Sequence, residues 1–146
     1  MKVDVIFTDE RIKNKLEYAT AGAAAIDLCA PLDEAVVVAP GETIKIPLGF
    51  RMHIGDSSVA AVLLPRSGLG SRGLVLANTI GLIDSDYQGD VTAVMWNRSD
   101  KPITVEPMDR VCQMIFLPVI CVALLPVQSF EETTDRGTGG FGSTGK

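Results

Sequence analysis

A polar segment between two apolar runs carries residue types that can do chemistry. Residues 78–90 (Asn-Thr-Ile-Gly-Leu-Ile-Asp-Ser-Asp-Tyr-Gln-Gly-Asp) contain carboxylates, a tyrosine and glycines. The β-type runs 74–77 and 91–97 flank them, a pattern typical of a β-hairpin with a polar tip. Backbone groups at such a tip can pair with the edge of a planar ligand, which Asp84 and Tyr87 can contact with their side chains. Asp, Ser and Gly are also ordinary turn residues, so the segment alone does not define a site.

A second segment, residues 65–73 (Pro-Arg-Ser-Gly-Leu-Gly-Ser-Arg-Gly), follows an apolar strand-like run and suits an anion. Arg66 supplies a planar fork of donors and Ser67 a hydroxyl, while Gly68 and Gly70 allow the backbone to approach a phosphate closely. We expect a single helical turn here. The GxxxxGK[ST] pattern of a P-loop is absent, and a surface turn with a solvated arginine is the alternative.

The C-terminal segment, residues 135–146 (Asp-Arg-Gly-Thr-Gly-Gly-Phe-Gly-Ser-Thr-Gly-Lys), is rich in glycine and has no apolar periodicity. Such a sequence is expected to be flexible on its own, and a frayed end is one interpretation. Arg136 and Phe141, however, are groups that a mobile lid needs to grip a phosphate and to stack on a base. We therefore predict a folded domain over 1–135 and a lid over 136–146.

Composition restricts the class of protein. The chain has 146 residues and a net charge of −5, which predicts one acidic domain and argues against a nucleic-acid surface. The three cysteines, an odd set without CxxC spacing, indicate buried reduced thiols and a cytoplasmic location; they are Cys29, Cys112 and Cys121. Charged residues follow the first apolar residues at once, which argues against a signal peptide. The uncharged stretch 114–127 is too short to span a bilayer, so we expect no membrane partner.

Short β-type runs separated by turn residues predict an all-β domain. These runs are Val3–Phe7, Val36–Val38, Thr43–Ile46 and Phe50–Ile54, and Glu10–Leu16 is a candidate for a further turn. His53 is expected to be structural and Trp96 to lie in the core. The surplus of apolar residues in 114–127 indicates either burial against another subunit or a strand buried on both faces.

Five segments together resemble, in order, the motifs of the trimeric dUTP pyrophosphatase (dUTPase) family. They are Ala21–Leu28, Pro65–Gly68, Gly81–Gly89, Arg110–Phe116 and Arg136–Ser143. The resemblance spans nearly the whole chain. It implies a jelly-roll or distorted β-barrel (a β-clip) with at most one short helix and a flexible glycine-rich tail. It also implies a homotrimer whose active sites lie between subunits.

The resemblance further implies hydrolysis of dUTP to dUMP and diphosphate by attack of water on the α-phosphorus, which limits uracil in DNA and supplies dUMP for thymidylate synthesis. Asp84 matches the general base, and Asp27 matches a residue that contacts Mg²⁺ through a water. The phosphate contacts match Arg66, Ser67, Gly68 and Gln113. The contacts to base, sugar and the closed lid match Asn78, Gly81, Leu82, Ile83, Tyr87, Thr92, Arg136, Phe141, Gly142 and Ser143.

Three departures from the family pattern stand out. Ala25 occupies a position where glycine is usual, the loop 70–73 is about one residue short, and Thr92 replaces a longer side chain. Two other functions are alternatives. A related dCTP deaminase needs a glutamate where this chain has Val94, which cannot move a proton, and a catalytically silent nucleotide-binding trimer remains the other alternative.

Overall fold

The computed structural model describes residues 1–140 and consists mainly of β-strands. The strands are β1 (Asp4–Phe7), β2 (Ile26–Cys29), β3 (Val36–Val38), β4 (Thr43–His53), β5 (Val59–Pro65), β6 (Leu74–Leu76), β7 (Gly81–Ile83), β8 (Asp90–Asn97), β9 (Ile103–Val105) and β10 (Arg110–Pro118). A six-residue helix, α1 (Ser67–Arg72), and a 3₁₀ turn (Glu10–Ile12) complete them. The expected lid residues Phe141, Gly142 and Ser143 lie outside the described residues.

Two four-stranded antiparallel sheets bury one common core. The first has the order β1-β4-β8-β6 and the second the order β2-β10-β5-β7, while β3 and β9 form a separate ladder. Alternate side chains of β8 point into the core, among them Val91, Ala93 and Met95. They join Leu28, Leu63 and Met114 of the second sheet in a single apolar cluster. The all-β prediction with one short helix is confirmed, because period-2 patterning places one face of each strand inside.

The hairpin prediction was right for its two flanks and incomplete at the tip. β6 pairs with β8 in the register Leu74 to Asn97 and Leu76 to Met95. Between them, however, the chain crosses to the second sheet, where β7 pairs with β5. β7 is an edge strand of that sheet, with Gly81 and Ile83 buried and Leu82 exposed.

Some expectations about burial were wrong. Trp96 is partly exposed because it lies on the outward face of β8. β10 ends at Pro118, and the apolar residues after it neither continue the strand nor reach the core of this chain. Cys121 is therefore exposed, whereas Cys29 and Cys112 are buried as predicted. Within residues 1–140, no helix is long and apolar enough to cross a membrane.

β4 is one strand with a bulge, not the two runs expected. Pro47 pairs with Thr92, and Arg51 pairs with Asp90. Between these two pairs β4 therefore has two more residues than β8. Gly49 lies in the bulge with φ 78°. A Cβ there would lie 2.8 Å from Ile12 Cγ1 and 2.9 Å from Asp9 Cβ. Glycine is therefore required by both the backbone angle and the space.

We predict that Gly49→Ala destabilises the fold more than Gly41→Ala does. Gly41 has the same φ of 78°, but no heavy atom of the described residues lies within 4 Å of its Cβ position. Its substitution should cost about 1–2 kcal/mol, from backbone strain alone. Gly49→Ala should cost about 1–3 kcal/mol more, from overpacking. Urea unfolding of both variants measures the difference, and equal losses would show that the bulge relaxes freely.

Candidate active site

A cavity of about 260 Å³ lies at the tip between β7 and β8. The residues that line it are Leu63, Asn78, Gly81, Leu82, Ile83, Asp84, Tyr87, Asp90, Val91 and Thr92. The six residues of this segment that the resemblance assigns to substrate contacts thus line one cavity together with Asp84, the expected general base. The carboxylate of Asp84 is exposed at its edge, directly after β7. A cavity of this kind can hold a small planar group beside an accessible carboxylate.

The ring of Tyr87 is held by a hydrogen bond of its hydroxyl and lies in space that Gly89 leaves open. Its hydroxyl donates to the backbone carbonyl of Asp90 over 3.2 Å, and Thr92 Oγ1 approaches the same carbonyl at 3.4 Å. A Cβ on Gly89 would lie 2.6 Å from Tyr87 Cζ. Because glycine leaves that space free, the ring can lie against the backbone and present a fixed surface to the cavity.

The other wall of this cavity exposes backbone. β7 is an edge strand that pairs, within the described chain, only with β5. Outward-facing N–H and C=O groups of an edge strand are free to pair with a ligand. Next to it, Thr79 adopts φ 62°, and the N–H of Ile80 donates to the carbonyl of Asn78 over 2.7 Å. A β-branched residue in this conformation is strained, and the tight turn it forms sets the position of Asn78.

A second polar cluster forms where β2, β10 and the end of β5 meet. Arg66 Nε donates to Asp27 Oδ1 over 2.7 Å, and Arg110 Nη1 donates to Asp27 Oδ2 over 3.0 Å. Gln113 Nε2 donates to the carbonyl of Pro65 over 2.9 Å. A cavity of about 340 Å³ adjoins the cluster, lined by Ala19, Ala23, Ala24, Ala25, Asp27, Arg66, Ser67 and Gln113. Two arginines against one carboxylate leave a net positive site that suits phosphate.

The two cavities share no lining residue and lie well apart within one chain. Asp27 pairs with Gln113, and Gln113 with Leu64, whereas Ile83 of β7 pairs with Ala61. Asp84 is thus three strands across from Asp27 and about four residues along. At about 4.8 Å per strand and about 3.3 Å per residue, the separation of the two Cα atoms is about 20 Å.

The expected sites therefore divide into groups. Arg66, Ser67, Gln113 and Asp27 lie together, with Gly68 next to Ser67 in α1. Arg136 lines neither cavity; its Nε donates to the carbonyl of Gly139 within the tail. The sequence interpretation did not assign a role to Arg110, although it opens the fourth motif. It also missed the ion pair of Arg51 with Asp90, because no local pattern connects residues so far apart in the chain.

The described residues can contact Mg²⁺ in one way, through a water molecule of the hydrated ion. Among residues 1–140, no group of three or more Asp, Glu, His or Cys side chains is placed to hold a metal. Asp27 offers carboxylate oxygens that already accept from two arginines but retain further lone pairs, and its side chain is about a quarter exposed. Such a residue can accept from a water of a hydrated ion, which is how Mg²⁺ bound by phosphates usually meets protein.

Comparison with known proteins shows the family of this chain. Residues 13–145 match the family described as dUTPase. The chain is 49% identical over 148 residues to a deoxyuridine 5′-triphosphate nucleotidohydrolase of Paraburkholderia phytofirmans, covering 100% of this chain and 99% of the relative. It is 52% identical over 149 residues to the protein of that name from Actinobacillus succinogenes, covering 99% and 98%.

Solved structures have the same fold. The dUTPase of Staphylococcus bacteriophage 80alpha with dUPNHPP superposes with a TM-score of 0.86 at 23% identity, covering 99% of both chains. A dUTPase from phage phi11 of S. aureus, described with a structural Mg(II) ion, gives 0.78 at 20% identity, covering 90% of this chain and 100% of that one. By fold, the protein is a β-barrel of the type that these phage enzymes share. By sequence match over nearly its whole length, the chain belongs to the dUTPase family.

The buried thiol of Cys112 gives the free energy of unfolding a testable pH dependence. Burial raises the pKa of the Cys112 thiol from 9.0 to about 12, and the nearby Asp27 adds to the shift. Between these two values an unfolded thiol ionises while the folded one stays protonated, so the unfolded state binds fewer protons and stability falls as pH rises.

We therefore predict that the free energy of unfolding falls more steeply above about pH 9 in the wild type than in Cys112→Ala. Urea titrations at successive pH values measure the slope. Cys121→Ala, which alters an exposed thiol, is the matched control and should keep the wild-type slope. An unchanged slope in Cys112→Ala would assign the alkaline loss to other groups.

Proposed function

We propose that this protein hydrolyses dUTP to dUMP and diphosphate. The observation that carries the proposal is the full-length match, near 50% identity, to deoxyuridine 5′-triphosphate nucleotidohydrolases. The hairpin cavity and the arginine cluster supply what such a substrate requires, namely a pocket for a nucleoside and a cationic site for its phosphates. The reaction keeps uracil out of DNA and provides dUMP for thymidylate synthesis.

Selection of the nucleoside depends on the hairpin cavity. Uracil pairs with backbone groups at Leu82 and Ile83 and with the amide of Asn78. A tight fit around the C5 edge of uracil would exclude a 5-methyl group. The fixed ring of Tyr87 packs under deoxyribose, where a 2′-hydroxyl would collide with it. Selection against ribonucleotides is therefore steric.

Hydrolysis depends mainly on position. Arg66, Ser67 and Gly68, together with Gln113, hold the phosphates, and the Asp84 carboxylate accepts a proton from the attacking water. An exposed carboxylate is a weak base, so alignment of water and α-phosphorus contributes most of the rate. Asp27 would contact a phosphate-bound Mg²⁺ through a water, and the ion would supply charge neutralisation.

The active enzyme is proposed to be a homotrimer with sites between subunits. A separation of about 20 Å between Asp27 and Asp84 within one chain is too long for both to act on one triphosphate. The segment after Pro118 also exposes large apolar side chains, among them Ile120, Leu124, Leu125 and Phe130. Exposed apolar surface of this extent is typical of a subunit interface.

The tail from Arg136 is proposed to be a lid that reaches a site on another subunit. In a single chain Arg136 is occupied by a carbonyl of its own tail and lies at neither cavity. A glycine-rich segment can close over a bound triphosphate at the cost of ordering it. The acidic chain and its three free thiols fit a cytoplasmic enzyme.

We predict that Asp84→Asn lowers kcat by about 10²–10⁴ and leaves KM within a small factor. The amide keeps the size of the side chain but cannot accept the proton. Diphosphate release from dUTP, with dCTP and dTTP as comparison substrates, measures the effect. Asp86→Asn is the matched control, because Asp86 is exposed in the same turn but does not line the cavity. Near-normal turnover by Asp84→Asn would remove Asp84 from this role.

We also predict that two inactive variants restore activity when they form mixed trimers. Asp27→Asn and Asp84→Asn, unfolded together at equal amounts and refolded, should give about a quarter of sites with both native carboxylates, since each residue comes from a different subunit. Steady-state turnover relative to the wild type measures this fraction, and light scattering checks the trimer. Mixtures as inactive as the separate variants would place both residues on one subunit.

A further inference from the structure

An ion pair stands immediately behind the tyrosine of the hairpin cavity. Arg51 Nε donates to Asp90 Oδ1 over 2.8 Å, and Arg51 Nη2 donates to Asp90 Oδ2 over 3.2 Å. The two residues are also register partners, at the point where β4 and β8 resume pairing after the bulge. Both side chains are about half exposed. This fork of two hydrogen bonds fixes the first residue of β8 to β4.

The same residue of β8 anchors Tyr87. Its backbone carbonyl accepts the hydrogen bond from the Tyr87 hydroxyl, while its side chain is held by Arg51. The turn before it is tied to the end of β4 as well, since the N–H of Gly55 donates to the carbonyl of Ser85 over 3.0 Å. The ring is thus connected to β4 through one carbonyl and one ion pair. Movement of Asp90 moves the anchor of the ring.

We propose that Arg51 and Asp90 are positioning residues that set discrimination against ribonucleotides by holding Tyr87 in place. The inference rests on the proposed function, in which Tyr87 packs under the sugar. Neither side chain needs to contact substrate for this. The hydrogen bond of the hydroxyl holds the ring against Gly89, and without the ion pair the ring has room to yield to a 2′-hydroxyl.

The ratio of kcat/KM for dUTP to kcat/KM for UTP isolates this effect. The two substrates have the same base and the same phosphates, so changes in phosphate binding or in folded fraction cancel. An exposed charge pair contributes at most about a factor of five. Arg51→Ala should therefore lower the ratio by about two- to fivefold, mainly through faster UTP hydrolysis, and Arg51→Lys should give an intermediate ratio.

Three further measurements distinguish positioning from general stability. Arg11→Ala removes another exposed arginine–aspartate pair, on the 3₁₀ turn, and should leave the ratio unchanged. Salt should lower the ratio of the wild type but not that of Arg51→Ala, because screening weakens only an existing pair. In a Tyr87→Phe background, which lacks the hydroxyl, Arg51→Ala should have no additional effect.

Failure of the proposed function and failure of the positioning role would give different results. A wild type that releases no diphosphate from dUTP overturns the proposed function and this inference with it. A wild type that hydrolyses dUTP, with the same ratio in Arg51→Ala, overturns the positioning role alone. An equal loss in the presence and absence of the Tyr87 hydroxyl would also overturn it, because the ion pair would then act by another route.

Discussion

The register of the second sheet determines what a single chain can do. Because β10 and β5 lie between β2 and β7, the Cα atoms of Asp27, in the arginine cluster, and of Asp84, at the hairpin cavity, lie about 20 Å apart. No side-chain rotation closes such a distance. In the proposed trimer, each subunit therefore carries two half-sites, the arginine cluster and the hairpin cavity, and a complete site forms where the cluster of one subunit meets the hairpin of another.

Within each half-site, small residues determine the geometry as much as the reactive ones do. Gly89 leaves the space in which the Tyr87 ring lies, and Gly81 lies so close to Leu63 that a Cβ would be 3.0 Å from Leu63 Cβ. Gly49 permits the bulge after which Arg51 meets Asp90. Larger residues at these positions would displace neighbouring side chains without changing any of the expected site residues.

Local sequence predicted the strands well because alternation of apolar and polar residues determines which face is buried. It also predicted α1 and the positions of the polar segments. It could not predict that β7 leaves the hairpin, since three residues carry little pattern, nor that Arg51 pairs with Asp90, since that pair depends on a bulge in β4. Trp96 and Cys121 were misplaced for a related reason: apolar character does not specify which surface covers a residue.

The protein and its triphosphate substrate are both negatively charged, and a local cluster of arginines opposes the repulsion between them. A chain of net charge −5 repels a triphosphate at long range. At the cluster, Arg66 and Arg110 both meet Asp27, so a single carboxylate orders two guanidinium groups and leaves an excess positive charge there. Salt screens the long-range repulsion more than the short-range hydrogen bonds. The Asp27 carboxylate thus holds both guanidinium groups in place, which accounts for an acidic residue in a cluster that we propose to bind phosphate.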